Sequence, residues 1–185
     1  DALHERIYDV GVHTLHMCMH EHYEDCPMRE QAFWLMDSEI QMLCGYYAFK
    51  DLNFATASLR LVSHSLRDDG LLEMCVPARA GGTIPCYSLF FIFGVYENVL
   101  RSNDISFARE MLPTADKILE TFLGRLGDNG LISSLPHYWN FYEWSDGMDG
   151  NPAFDESVSV YELPLNALMV KALVNCARLH EMCGS

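Results

Sequence analysis

Asp68-Asp69-Gly70-Leu71-Leu72 returns 60 positions later as Asp128-Asn129-Gly130-Leu131-Ile132. In each copy a short polar side chain precedes a glycine suited to a turn with φ > 0. Each also follows a segment whose apolar residues recur at the helical period. The first copy follows Phe54, Ala57 and Leu61. The second follows a segment from Pro113 to Leu126 with Ala115, Leu119 and Phe122 on one face, and Pro113 suits its first turn. A turn that recurs after alternate helices marks a repeat of helix pairs.

Four more segments carry the same period. The first has Leu3, Ile7, Val10, Thr14 and Met17, and the second has Ile40, Leu43, Cys44 and Tyr47 behind a Ser38-Glu39-Ile40-Gln41 capping box. The fourth is nearly all apolar from Leu89 to Leu100. The sixth carries Leu165, Leu168, Ala172, Leu173, Cys176 and Leu179, with Pro164 near its start. No strand-type alternation of any length appears, so the chain reads as all-α. Connectors after the second and fourth helices are short (50–52 and 102–104), whereas those after the first, third and fifth are long. Antiparallel neighbours then gather the three long loops at one end, where function is expected to sit.

A chain of 185 residues can bury roughly 70% of its unfolded surface as one domain. It begins at Asp1 without an initiator Met and stops just after a helical pattern, and it is expected to be a piece of something longer. Half of it is hydrophobic and 21% charged, with ten Met and ten Phe, a composition that suits surface packed on further chain. An open array would leave an apolar flank on the first and sixth helices. Twelve basic against 26 acidic side chains give a net charge of −14, a field that repels phosphate backbones and anionic lipid. Nucleic acid and membrane partners are not expected. The longest apolar run, Leu89 to Val95, is about a third of a membrane span. Seven cysteines (18, 26, 44, 75, 86, 176 and 183) form an odd set without a CxxC pair, which points to a reducing, cytoplasmic setting rather than a disulfide framework.

The chemistry concentrates in the first long loop. Asp25, Glu30 and Asp37 surround Trp34 in a short stretch: carboxylates that accept from sugar hydroxyls or deliver a proton to a leaving oxygen, and an indole face that packs on a pyranose ring. Aromatic residues from Tyr138 to Trp144 occupy the third long loop. The bland alternatives are helix capping and surface charge for the carboxylates, and core packing for Trp34, Trp139 and Trp144. Desolvation by Phe33, Trp34 and a bound sugar would raise the Glu30 pKa, whereas Arg29 pointing inward would oppose it, so Arg29 is expected to face away. Asp37, beside the start of the second helix, is expected to be held ionised by the helix dipole. His20, His22 and Cys26 resemble zinc ligands only superficially. The spacing of His13, His16 and His20 is helical, no second Cys/His pair completes a tetrahedral set, and no metal is expected. Cys26 reads as a structural thiol rather than a nucleophile. The acidic run from Asp146 to Glu156 reads as a solvated loop at the pocket rim.

Tyr23-Glu24-Asp25-Cys26-Pro27-Met28-Arg29-Glu30-Gln31, with Trp34 and Asp37, resembles the signature of the α-L-rhamnosidase catalytic domain of glycoside hydrolase family 78. Ile84-Pro85-Cys86-Tyr87-Ser88-Leu89, Asp128-Asn129-Gly130-Leu131, Tyr138-Trp139-Asn140-Phe141-Tyr142-Glu143-Trp144 and Leu165-Asn166-Ala167-Leu168 follow in family order. The resemblance runs nearly end to end. It implies an (α/α)6 six-hairpin toroid, of which residues 1–185 supply about three hairpins, a half barrel.

The resemblance also implies inverting hydrolysis of terminal α-L-rhamnosides without a cofactor. Glu30 is implied as general acid, with Asp25, Arg29, Trp34, Asp37, Trp139, Glu143 and Trp144 on the sugar. Three positions depart from the pattern: Met36 stands where many members have Gly, Cys86 where many have Asp, and Glu143 where Asp is common. An inverting enzyme needs a second carboxylate about 6.5 to 9.5 Å from the acid. In the family it lies in the later half of the barrel, so this chain alone is expected to be inactive, its partner the missing half. The rivals are a non-catalytic carbohydrate-binding or structural fragment, and another six-hairpin glycosidase specificity.

Overall fold

The structure, a computed structural model, describes residues 1–78, 81–150 and 158–185. Its two repeat turns are alike atom for atom. Asp69 Oδ1 accepts from Leu71 N at 3.0 Å, and Asn129 Oδ1 accepts from Leu131 N at 3.1 Å. Gly70 and Gly130 take φ of +80° and +76°, and antiparallel bridges join Leu66 to Leu72 and Leu126 to Ile132. The side-chain oxygen closes the turn locally and the glycine removes the Cβ that φ > 0 would penalise. The same sequence therefore ends two helices in the same way.

Six helices follow in order: α1 (Ala2–Met17), α2 (Leu35–Ala48), α3 (Asn53–Ser63), α4 (Pro85–Ser102), α5 (Ile105–Leu123) and α6 (Leu163–Cys183). Each hairpin packs internally, α1 on α2, α3 on α4 and α5 on α6. Across hairpins α2 meets α4, α4 meets α6, and α3 meets α5. The even helices form one layer and the odd ones another, three hairpins of an all-α arc. The helix α4 lies at its centre, with Leu89, Phe91, Ile92, Phe93 and Val95 fully buried, which is why its sequence is apolar all round. The helix α5 is amphipathic and buries Phe107, Met111, Ala115, Ile118 and Phe122. Asp104 caps it by accepting from Phe107 N at 3.0 Å.

Local details correct four expectations. The helix α2 begins at Leu35 rather than behind Ser38, because Trp34 is held extended in a two-residue ladder: β1 (Phe33–Trp34) pairs antiparallel with β2 (Cys75–Val76). Ser38 and Glu39 are instead buried within the helix. Pro113 lies inside α5, not in its first turn. It occupies the exposed face, and the buried Phe107 and Met111 extend the apolar stripe upstream. The buried stripe of α3 is Ala55, Leu59 and Val62, and Ala57 is exposed. His20 lies beyond the end of α1.

The flanks of the arc are apolar and open. Leu3, Ile7, Tyr8 and Val10 of α1, Ile40 and Tyr47 of α2, and Leu163, Val170 and Val174 of α6 are all exposed. Among the described residues no helix is long and apolar enough to cross a membrane. All seven cysteines are free.

Candidate active site

The described residues of the three long loops (18–34, 64–78 with 81–84, and 124–150 with 158–162) lie at one end of the helical array, and polar contacts lock them to one another and to the helices. Gln41 of α2 donates to the Glu24 carbonyl at 2.7 Å, while buried Glu24 pairs with His20 at 2.9 Å. Asp69 in the second loop pairs with Arg67 and accepts from the Tyr138 hydroxyl of the third at 2.8 Å. Arg125 reaches the Ser134 carbonyl and Ser159 Oγ at 2.8 and 2.7 Å.

Residues 25–32 form a closed loop. Asp25 N donates to the Ala32 carbonyl at 2.9 Å, and Ala32 N returns a bond to Asp25 Oδ1 at 3.0 Å. Within it Cys26 Sγ accepts from Glu30 N at 3.3 Å, and Gln31 takes φ +51°. The thiol thus shapes the turn that presents Glu30. The strand that follows alternates its side chains: Phe33 goes wholly into the core, with His22 stacked against it, and Trp34 goes the other way. From there the Trp34 indole N–H donates to Glu30 Oε2 at 2.9 Å.

These side chains meet the third loop around one cavity of about 310 Å³. Its lining comprises Asp25, Glu30, Trp34 and Asp37 from the first loop and α2, together with Trp139, Glu143 and Trp144 from the third; Met36, Ile84, Tyr87 and Phe141 complete it. The aromatic wall is continuous. Phe141 packs edge-on against Trp144 at 4.8 Å between centroids and against Trp139 at 5.3 Å, while Tyr87 bridges Phe141 to Trp34 at 6.4 and 6.3 Å. Trp144 is 74% exposed, a large apolar face left at the mouth, and Trp139 is pinned by its indole N–H to the Asp149 carbonyl at 2.7 Å. Such a wall opposite several carboxylates has the build of a sugar site, one end apolar and the other an array of acceptors.

Asp37 does not behave as the helix dipole alone would have it. Its side chain still reaches solvent, yet desolvation by the surrounding cavity pushes its carboxyl above the ordinary value. Its own backbone N–H opposes this, and the charges of Asp25, Glu30 and Glu143 add to it. Desolvation in the cavity is the main physical cause, and the three neighbouring carboxylates add to it.

Arg29 is exposed and does not line the cavity. Cys86 is buried, with its thiol 3.0 Å from the Phe141 carbonyl; burial drives its pKa far up. It therefore ties the first turn of α4 to the aromatic loop from below. Asn140, also buried, donates to the Leu135 and Tyr138 carbonyls at 2.8 and 3.3 Å and shapes the same loop. His20, His22 and Cys26 each have separate partners: Glu24, the Tyr23 carbonyl and Glu30 N. The later part of the acidic run, Asn151 to Glu156, lies outside the described residues. Tyr87 and Ile84 were not singled out as site residues. Their signal was membership of the Ile84-Pro85-Cys86-Tyr87-Ser88-Leu89 segment at the start of α4.

A comparison with protein families matches residues 1–185 to the bacterial alpha-L-rhamnosidase 6 hairpin glycosidase domain. Among solved structures, the chain is similar to a family GH78 rhamnosidase of Bacillus sp. GL1, with TM-score 0.87 and 27% identity, covering 100% of this chain and 18% of that one. It is also similar to a rhamnosidase from Klebsiella oxytoca with rhamnose bound, with TM-score 0.81 and 26% identity, covering 95% of this chain and 33% of that one. The chain therefore spans a third or less of the length of each solved rhamnosidase. No curated protein matches it.

Proposed function

We propose, from the premise that this chain belongs to the bacterial α-L-rhamnosidase six-hairpin glycosidase family, that its cavity is one wall of a site hydrolysing terminal α-L-rhamnosides with inversion. The observation that carries the reading is the convergence of Asp25, Glu30, Asp37 and Glu143 with three indoles on a single cavity. Glu30 is the proton donor to the departing oxygen. The Trp34 indole, hydrogen-bonded to its carboxylate, fixes the orientation in which that proton is offered, worth part of the barrier through positioning alone. Asp25 has one oxygen engaged by Ala32 N and directs the other to sugar hydroxyls. Asp37 and Glu143 serve as further acceptors, and the indoles take the apolar face of the ring. The carboxylate that activates water comes from the remainder of the barrel, against which the open flanks of α1, α2 and α6 pack. In this reading the chain alone binds sugar and does not turn it over.

The raised carboxyl of Asp37 favours a second assignment, in which Asp37 holds the transferable proton and Glu30 is an acceptor, since general acids are tuned upward by burial and like charges. Hydrolysis of an aryl α-L-rhamnoside by the full-length protein separates the two. With Glu30 as acid, Glu30→Gln abolishes turnover while retaining rhamnose binding, and Asp37→Asn weakens binding but keeps the basic limb of the pH–rate profile. With Asp37 as acid, that limb disappears in Asp37→Asn. An inactive parent protein, or full activity in both variants, counts against the hydrolase reading altogether.

A further inference from the structure

Outside the cavity, one cluster of ligand-type side chains has no part in the chemistry above. Cys176 and His180, four residues apart on α6, share a helical face one turn apart, and Asp116 of α5 faces them. His180 Nε2 lies 2.9 Å from Asp116 Oδ1, and Cys176 Sγ lies 3.5 Å from the same oxygen. The three ligand atoms all fall within 4.8 Å of one another, the one such group among the described residues. The cluster sits on the last turns of α6, at the pole away from the long loops, and none of its members lines the cavity.

We propose that Asp116, Cys176 and His180 form a divalent-cation site, suited to zinc, that staples α5 to α6. The donor set is one thiolate, one imidazole and one carboxylate, which a tetrahedral zinc accepts with its fourth position left to water. Tetrahedral bonds of about 2.0 to 2.3 Å set ligand atoms about 3.3 to 3.6 Å apart. The Cys176–Asp116 separation already meets that, the His180–Asp116 pair needs to open by a few tenths of an ångström, and the Cys176–His180 pair, within 4.8 Å, closes to the same spacing by side-chain rotation. The imidazole is also oriented from behind: His180 Nδ1 lies 2.9 Å from Ser185 Oγ, the outer-shell partner that leaves Nε2 free to bind metal. Access is open on one side, since the His180 and Asp116 side chains are 35% and 43% exposed, while Cys176 forms the buried floor. On binding, the Cys176 thiol releases its proton to solvent, and each ligand donates one lone pair.

The alternative is a His180–Asp116 ion pair with a bystander thiol. The metal-free protein titrated with Co²⁺ distinguishes the two, because only a thiolate ligand produces sulfur-to-cobalt charge-transfer absorption in the near ultraviolet. The expected result is that absorption at one equivalent, its loss when Zn²⁺ displaces the cobalt, and a rise in melting temperature with Zn²⁺. Cys176→Ser removes the absorption, His180→Gln and Asp116→Asn weaken binding about tenfold or more, and Cys44→Ser changes nothing. Absent absorption, absorption that survives Cys176→Ser, or unaltered affinity in both His180→Gln and Asp116→Asn overturns the proposal. The two partly exposed positions keep the test decisive should Cys176→Ser misfold.

Discussion

Replacing the glycine in each copy of the repeated turn should separate what the turn itself requires from what packing around it requires. At Gly130 a Cβ would meet nothing within 4 Å, so only the φ of +76° is penalised. Placing Ala in the left-handed region costs about 1 kcal/mol after the smaller entropy of the unfolded chain is counted. At Gly70 the same backbone cost applies, but the new Cβ would overlap Thr121 Oγ1, with Thr121 Cβ at 3.4 Å and Lys117 Cε at 3.5 Å behind it. That hydroxyl lies within donating distance of the Asp69 and Lys117 carbonyls, at 3.2 and 3.1 Å. Turning it aside forfeits about 1 kcal/mol of hydrogen bonding and adds about 1 kcal/mol of crowding. Gly70→Ala should therefore cost about 3 kcal/mol against about 1 kcal/mol for Gly130→Ala. For a chain of this size the melting temperature should fall by about 6–12 °C in the first case and about 2–4 °C in the second. Urea unfolding of both variants, and of Gly70→Ala combined with Thr121→Ala, provides the check. The combination should recover most of the difference, a coupling of at least about 1 kcal/mol. Equal losses at the two glycines, or no recovery on trimming Thr121, would refute the reasoning.

Three further outcomes follow from the same contacts. Glu39 is buried with its carboxyl raised above 4.5, mainly by desolvation, and its Oε1 has no hydrogen-bond partner among the described residues. Because its folded pKa exceeds the unfolded one, its contribution is intact below about pH 4.5 and is lost as pH rises through the folded value. Melting curves should thus show Glu39→Gln gaining on the wild type between pH 4.5 and 8, and a constant gap would contradict the assignment. Asp37→Asn should keep the melting temperature within a few degrees while weakening L-rhamnose binding about 10- to 100-fold, the loss of one charge-assisted acceptor, as measured by calorimetry. Cys86→Ala should cost about 1–2 kcal/mol by urea unfolding, for the buried contact to the Phe141 carbonyl and the space left behind; a smaller loss would show that the thiol does not anchor the aromatic loop.

What was legible in the sequence was local. The paired turns at Gly70 and Gly130 were readable because each is closed by its own Asx side chain and its own glycine. The convergence of Asp25, Glu30, Trp34 and Asp37 followed from their spacing across one loop and the first turn of the helix after it. Alternation at Phe33–Trp34 then sends the indole toward Glu30. Features set by distant partners were not legible. The helix α2 starts where Trp34 pairs with Cys75, so Ser38 and Glu39 only mimicked a cap. Pro113 looked like a helix start because its position on the solvent face depends on how α5 packs on α4. Tyr87 joins the aromatic wall through the orientation of α4, which no spacing in its own segment announces. The pairing of Asp116 with Cys176 and His180 is likewise a property of two helices in contact.

All three tryptophans of the chain, Trp34, Trp139 and Trp144, line the candidate site, so the tryptophan fluorescence of residues 1–185 reports on that cavity. Titration with L-rhamnose should produce a saturable change with a dissociation constant of about millimolar order, near −4 kcal/mol. The change should shrink strongly in Asp37→Asn and persist in Glu30→Gln. A spectrum that stays flat to saturating sugar, or that responds identically in Asp37→Asn, would contradict the claim that these carboxylates and indoles form one rhamnose-binding wall.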